Sequence, residues 1–218
     1  MSEPTVTFRC NAILFDMDGT LVDSTAVVVR QWRRWATLHH LNLNEILAFA
    51  YGRRTIDTMR QVAPHLNFSE SDGTEFDDEE GRDTEGVVPV VGAAQVLSYL
   101  PANRWAVVTS ATTQLAQSRL ALAGLPLPVV LVSADDVRQG KPHPEGFNLA
   151  AQRLGVRNEE CLVIEDTPAG IEAAIAAGMQ VLSIGTTVVR ESLKGATWIP
   201  DFTRFRIDFR DGMEVVIL

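Results

Sequence analysis

Ala12-Ile-Leu-Phe-Asp16-Met-Asp18-Gly-Thr20 runs from four consecutive apolar residues straight into two carboxylates, a glycine and a hydroxyl. A short apolar run ended by turn residues is the pattern of a strand buried on both faces. Four further runs have the same form: Trp105-Ala-Val-Val108, Val129-Val-Leu-Val132, Leu162-Val-Ile164 and Gln180-Val-Leu-Ser-Ile184. Between several of them lie helical segments, over 111–123, 144–154 and 168–177, each followed by a glycine (Gly124, Gly155, Gly178). Glycine after a helix supplies the left-handed residue that ends it, and Pro144 and Pro168 suit the first turn of theirs. Strand alternating with helix predicts an α/β core on a doubly wound parallel sheet.

Residues 24–85 break this rhythm, with helical spacing and charge but no buried-strand run. They are predicted to form a small helical cap inserted into the core, which then comprises residues 1–23 and 86–218. Val28, Trp32 and Trp35 share one stripe of the first cap helix and are expected to pack inside it. Nine acidic residues between Glu70 and Glu85 are expected to form a solvated face. Val87-Val-Pro-Val-Val-Gly92 reads as a linker into a helix over 93–100, and Phe205-Arg-Ile-Asp-Phe209 with Met213-Glu-Val-Val-Ile217 reads as a terminal hairpin turning at Arg210-Asp-Gly212.

Composition narrows the function. The 218 residues carry 19 basic and 28 acidic side chains, a net charge of -9, which argues against nucleic acid as the partner. No apolar run approaches the ~20 residues of a membrane span, and the first ten residues lack a signal-like stretch, so a cytoplasmic protein without a membrane partner is expected. Cys10 and Cys161 form no CxxC and lie beside apolar runs, as buried reduced thiols do. The four histidines show neither HxH nor HExxH spacing, which disfavours a histidine metal site.

Ligands of open α/β sheets bind beyond the C-terminal ends of the strands. The polar residues there are Asp16, Asp18, Gly19 and Thr20 after the first run, Thr109 and Ser110 after the second, Lys141 after the third, and Glu165 and Asp166 after the fourth. Carboxylates for a hard cation, a hydroxyl, an ammonium and a glycine that permits close approach together suit a phosphoryl group with Mg²⁺. Taken singly, each set has an ordinary structural use: Asp and Gly in turns, Ser110 and Thr167 as helix caps, Lys141 as a solvated cation.

In order and over nearly the whole chain, these motifs resemble the four of the haloacid dehalogenase-like superfamily: Asp16-x-Asp18-Gly-Thr20-Leu-Val-Asp23, Val-Val-Thr-Ser110, Gly-Lys141-Pro-His-Pro-Glu and Glu165-Asp166-Thr-Pro-Ala-Gly. The resemblance implies that Asp16 attacks phosphorus to form an aspartyl-phosphate and that Asp18 acts as general acid and then base. It implies Mg²⁺ held by the Asp16 and Asp166 carboxylates and the Asp18 backbone carbonyl, supported by Glu165. Lys141, Ser110, Thr109 and Gly19 would serve the phosphoryl group.

Within the superfamily, the second aspartate resembles the phosphoryl-transfer members rather than the dehalogenases. The cap resembles that of the β-phosphoglucomutase and sugar phosphatase branch, especially the bacterial sugar and hexitol phosphatases, implying a small phosphorylated metabolite as substrate and a monomer or weak homo-oligomer. Val28 stands where the mutases place a cap histidine, and 24–85 holds no lysine for the Schiff base of a phosphonatase. Tyr51-Gly52-Arg53-Arg54 resembles the cap loop that faces the active site, which makes Arg53 the preferred specificity residue, followed by Arg54, Glu85 and Thr84. Phosphoglycolate phosphatase and a β-phosphoglucomutase-like mutase are the other enzyme readings. A phosphoacceptor or regulatory protein of receiver type is the non-enzymatic one, and the inserted cap argues against it.

Overall fold

The computed structural model describes residues 6–185, 197–210 and 212–218. The chain runs through β1 (Val6–Cys10), β2 (Ala12–Phe15) and β3 (Val22–Asp23), then helices α1 (Thr25–His39), α2 (Leu43–Ala50), α3 (Thr55–Val62) and α4 (Glu70–Gly81), then β4 (Val88–Pro89). From there helix and strand alternate: α5 (Ala93–Tyr99), β5 (Trp105–Val108), α6 (Thr113–Leu122), β6 (Val130–Val132), α7 (Glu145–Leu154), β7 (Cys161–Glu165), α8 (Pro168–Ala176) and β8 (Gln180–Ile184). Three strands follow, β9 (Thr197–Ile199), β10 (Phe205–Asp208) and β11 (Met213–Ile217).

Six strands form a parallel sheet in the order β6-β5-β2-β7-β8-β9. All four residues of β2 are fully buried, as expected of a central parallel strand covered on both faces. Its alternate residues serve opposite cores. Ile13 and Phe15 pack with Val96 and Leu97 of α5 and Leu115 and Leu120 of α6. Ala12 and Leu14 pack with Phe147 and Ala150 of α7 and Ala173 and Ala174 of α8. The sheet is therefore doubly wound. Because β2 lies between β5 and β7, the chain leaves it in one direction and returns on its other side, which opens a crevice beyond its C-terminal end.

The terminal hairpin forms as β10 and β11, with residue 211 of its turn outside the described residues, and β1 joins it antiparallel in register Val6↔Ile217. β1 carries no long apolar run; its side chains alternate between half-buried and exposed. Part of the expected 87–92 linker is β4, paired antiparallel with β3 in the register Val22↔Pro89. The two connections to the cap thus lie side by side.

Helices α1 to α4 surround an apolar cluster of their own, in which Trp32 and Trp35 meet edge to face with centroids 5.4 Å apart and Ile46, Met59 and Phe76 fill in around them. The acidic segment departs from its expected solvated role. It forms α4, and Asp77 and Glu80 are each only 5% exposed because they face α6 of the core instead of water. Burying a carboxylate is unfavourable unless it finds donors, and both do. Burial still pushes the Asp77 carboxyl up to about 6, against the hydrogen bonds from Thr55 and the Thr112 N–H.

Ile13 makes the clearest test of the double winding, since it is wholly buried in the central strand. Ile13→Ala is expected to lower the unfolding free energy by about 2–5 kcal/mol in urea titration; a loss below about 1 kcal/mol would be incompatible with that packing.

Candidate active site

The Asp16 N–H donates to the Ile164 carbonyl at 3.0 Å, so the strand ladder fixes the backbone of this residue just beyond β2. The chain then turns sharply. Gly19 sits at φ +85°, a region that favours glycine, and its N–H donates to the Val22 carbonyl at 2.7 Å. This turn puts Asp18 over the crevice, where its Oδ1 accepts from Ser24 Oγ at 2.6 Å and lies 2.9 Å from Arg119 Nη1.

Glu165 and Asp166 emerge at the end of β7, where Thr167 caps α8 by accepting from the Gly170 N–H at 3.2 Å. The same Thr167 donates to Glu165 Oε2 through its N–H at 2.6 Å and its hydroxyl at 2.9 Å. Thr20 Oγ1 donates to Asp166 Oδ1 at 3.2 Å. Lys141, 7% exposed and lying over the Phe147 ring, joins the two strand ends: its Nζ donates to Asp16 Oδ1 at 2.5 Å and to Glu165 Oε1 at 2.7 Å.

Electrostatics follow from this crowding. Burial pushes the Asp16 carboxyl up to about 7, opposed by Lys141 and reinforced by Glu165 and Asp18. Burial alone would lower the Lys141 ammonium, but Asp16 and Glu165 outweigh it and hold its pKa above the ordinary lysine value. Oxygens of Asp16, Glu165 and Asp166 lie within 4.8 Å of one another. Three carboxylates beside one ammonium make a buried site with an excess of acidic oxygen donors. The donors are all hard oxygens, so the set fits Mg²⁺.

A cavity of about 80 Å³ reaches this cluster at Asp16 and is lined further by Asp18, Gly19, Thr109 and Ser110 from the core and by Arg53 from the cap; Lys141 lines a smaller neighbouring pocket with Thr109 and Ser110. Ser110 Oγ donates to the Gly52 carbonyl at 2.9 Å, and Thr109 Oγ1 accepts from the Ala111 N–H at 3.1 Å. Arg53 stacks on Phe49 at 4.3 Å, with Nη1 3.4 Å from the Lys141 carbonyl. Arg54 lines the neighbouring pocket with Ser110 and Lys141 and makes a two-point pair with Asp57 at 2.7 and 2.8 Å. Glu85 lies elsewhere, beside a surface groove of the cap with Arg30 and Asp83.

The structure adds Arg119 and Glu80 to the cavity wall, along with Asp77, Thr55 and Thr167. None of these was singled out as a site residue from sequence. A faint signal was present: Asp77 and Glu80 are three apart and Thr112 and Arg119 seven apart, spacings that place each pair on one helix face.

Fold and site together define a hydrolase. The haloacid dehalogenase-like hydrolase model matches residues 10–178, and the chain belongs to that family. It is similar to hexitol phosphatase A of Escherichia coli strain K12, 41% identical over 182 residues that cover 81% of this chain and 83% of the relative. It is also similar to glycerol-1-phosphate phosphohydrolase 2 of Saccharomyces cerevisiae, 32% identical over 203 residues, 87% of this chain and 80% of the relative. CbbY from Rhodobacter sphaeroides, solved in complex with phosphate, shares the fold with a TM-score of 0.76 over 88% of this chain and 95% of that one, at 21% identity.

Gly170 gives a signed test of the cluster's rigidity. In helix α8 an alanine should be favourable by up to ~1 kcal/mol. A Cβ there, however, would lie within bonding distance of Glu165, 1.6 Å from Oε1. We expect overpacking to win and Gly170→Ala to lower the Tm, with a net loss of about 1–3 kcal/mol. A raised Tm would mean that Glu165 moves aside freely.

Proposed function

We propose that the protein is a Mg²⁺-dependent phosphatase of small sugar or sugar-alcohol phosphates, working through an aspartyl-phosphate on Asp16. The observation that carries this reading is the Lys141-bridged carboxylate cluster, whose Asp16 lines a cavity between cap and core together with Asp18. The identity to hexitol phosphatase A supports the substrate class. In this reading residues 1–23 and 86–218 form the catalytic core and 24–85 the cap, divided at the paired strands β3 and β4.

When bound, Mg²⁺ would be held by the Asp16 and Asp166 carboxylates and the Asp18 backbone carbonyl, with Glu165 in support, and would offset the charge of the phosphoryl oxygens. Lys141 does part of the same work from the protein side and opposes the effect of burial on Asp16, favouring the ionised form that attacks. The Asp16 oxygen forms a bond to phosphorus as the ester P–O bond breaks, and Asp18 gives its proton to the leaving alkoxide. Water then attacks the acyl phosphate, Asp18 takes a proton from it, and phosphate leaves with Asp16 restored. Ser110, Thr109 and the Gly19 loop bind phosphoryl oxygens.

Arg53 is the proposed specificity residue, since its guanidinium lines the cavity from the cap side. Val28 lines the same cavity where a mutase would need an acid–base group, and an apolar side chain there favours transfer to water over return to a sugar hydroxyl. The cavity lies between cap and core, which suits a small polar phosphate ester enclosed by the cap.

The test is phosphate release from a panel of sugar, hexitol, glycerol and glycolate phosphates with Mg²⁺ or EDTA. Turnover should require Mg²⁺ and favour hexitol or sugar phosphates. Asp16→Asn should keep the Tm and abolish trapped phosphoenzyme, and retained turnover in that variant would remove Asp16 as nucleophile. Asp18→Ala is expected to cost about 10²–10⁴-fold in kcat, the usual contribution of a general acid–base group.

A further inference from the structure

Helix α4 of the cap meets α6 of the core through charged groups. Asp77 Oδ2 accepts from the Thr112 N–H at 3.3 Å, at the start of α6, while its Oδ1 accepts from Thr55 Oγ1 at 2.6 Å. One helical turn further on, Glu80 pairs with Arg119 Nη2. The other terminal nitrogen of Arg119, Nη1, lies 2.9 Å from Asp18 Oδ1. Arg119 and Glu80 are 4% and 5% exposed, so the cap end of this bridge is buried, while Asp18 at its other end is half-buried.

The cap therefore brings two carboxylates, Asp77 and Glu80, to a wall that already holds Asp16 and Asp18. Lys141 is committed to Asp16 and Glu165. Arg119 is the cation that Asp18 and Glu80 share, and without it closure would bury Glu80 near Asp18 with like charges facing each other at low dielectric. Arginine suits this position because its planar fork carries two separate terminal nitrogens, each of which serves one carboxylate.

We propose that Arg119 is a positioning residue that couples cap closure to the placement of Asp18, with Glu80 as its partner on the cap. The inference rests on the phosphatase reading above. Arg119 and Ser24 both approach Asp18 at Oδ1, so the carboxylate that exchanges the proton with leaving group and water is held by both. When the cap swings away, Glu80 leaves Arg119. When it returns, Glu80 and Arg119 meet again and Asp18 is fixed in the same movement that encloses the substrate.

The experiment compares wild type, Arg119→Gln, Glu80→Gln and the double variant of the full chain on sorbitol 6-phosphate and on p-nitrophenyl phosphate, whose nitrophenolate departs without needing a proton. Arg119→Gln should lower kcat/KM on sorbitol 6-phosphate by at least about tenfold, since one partner of a buried pair is removed. Single-turnover release of nitrophenolate should fall much less. Adding Glu80→Gln to Arg119→Gln should recover activity by about threefold or more, because it removes the stranded carboxylate. Equal losses on both substrates, or no recovery in the double variant, would overturn the proposal.

Should Arg119→Gln not fold, Glu80→Lys reads the same coupling by setting cation against cation: KM for sorbitol 6-phosphate should rise by about tenfold, and an unchanged KM would overturn the proposal. Wild-type protein that hydrolyses neither these esters nor any member of the phosphate panel above would remove the phosphatase reading and the coupling with it. Wild-type turnover without the Arg119 response would remove the coupling alone.

Discussion

An excess of buried negative charge at one edge of the sheet is the constraint to which the rest of the structure answers. Asp16, Glu165 and Asp166 are almost fully withdrawn from water, where carboxylates are tolerated only with cations and donors around them. Lys141 spans the first two, Thr20 reaches the third, and the cap of α8 supplies both N–H and hydroxyl to Glu165. The hard oxygens of this cluster fit a divalent cation. Glu165 is locked from every side and Gly170 leaves it room, so the cluster is set before substrate arrives, as preorganised electrostatic catalysis requires.

The same constraint shapes the cap. A lid over an acidic centre could be expected to carry basic residues toward it, and Arg53 does so. Helix α4 does the reverse, turning Asp77 and Glu80 inward. The resolution lies in the core helix opposite, whose N-terminal Thr112 N–H and buried Arg119 offer the complementary charge. The acidic helix is thus a docking surface for α6 on one face, while other acidic residues such as Glu75 and Glu79 stay toward water.

Much of this was legible in the sequence for a simple reason: the core strands are continuous apolar runs, and the chemistry follows each of them by a few residues. The β2 run leads directly to Asp16 and Asp18, and the β7 run to Glu165 and Asp166. Helix ends at Gly155 and Thr167 obey local capping rules that need no tertiary information. β1 was not read because it is half-exposed and its partner β11 lies at the other end of the chain. Arg119, Asp77 and Glu80 were not read because isolated charges in helices are ordinarily solvated, and only the approach of α4 to α6 buries them. Arg54 and Glu85 show the converse. Sequence proximity to the cap loop or the hinge made them candidates; in the fold Arg54 pairs with Asp57 beside a pocket it shares with Ser110 and Lys141, while Glu85 faces a separate groove.

Cap and core also meet at a neutral contact, and its chemistry bears on how the lid moves. Gly52, at φ +76°, approaches Thr167 so closely that a Cβ would fall 2.2 Å from the threonine hydroxyl, and its carbonyl accepts the Ser110 hydroxyl at 2.9 Å. A serine has a single proton to donate. If Ser110 serves a phosphoryl oxygen as proposed, it cannot at the same time donate to Gly52, so arrival of the phosphate and release of this loop contact are one exchange. A hydrogen bond to an anionic oxygen is roughly twice as strong as one between neutral groups, and the exchange runs toward the phosphate. The closed state with substrate is then held less by the Gly52 contact and more by the Glu80–Arg119 pair, which places the grip of the lid on the residue that also holds Asp18.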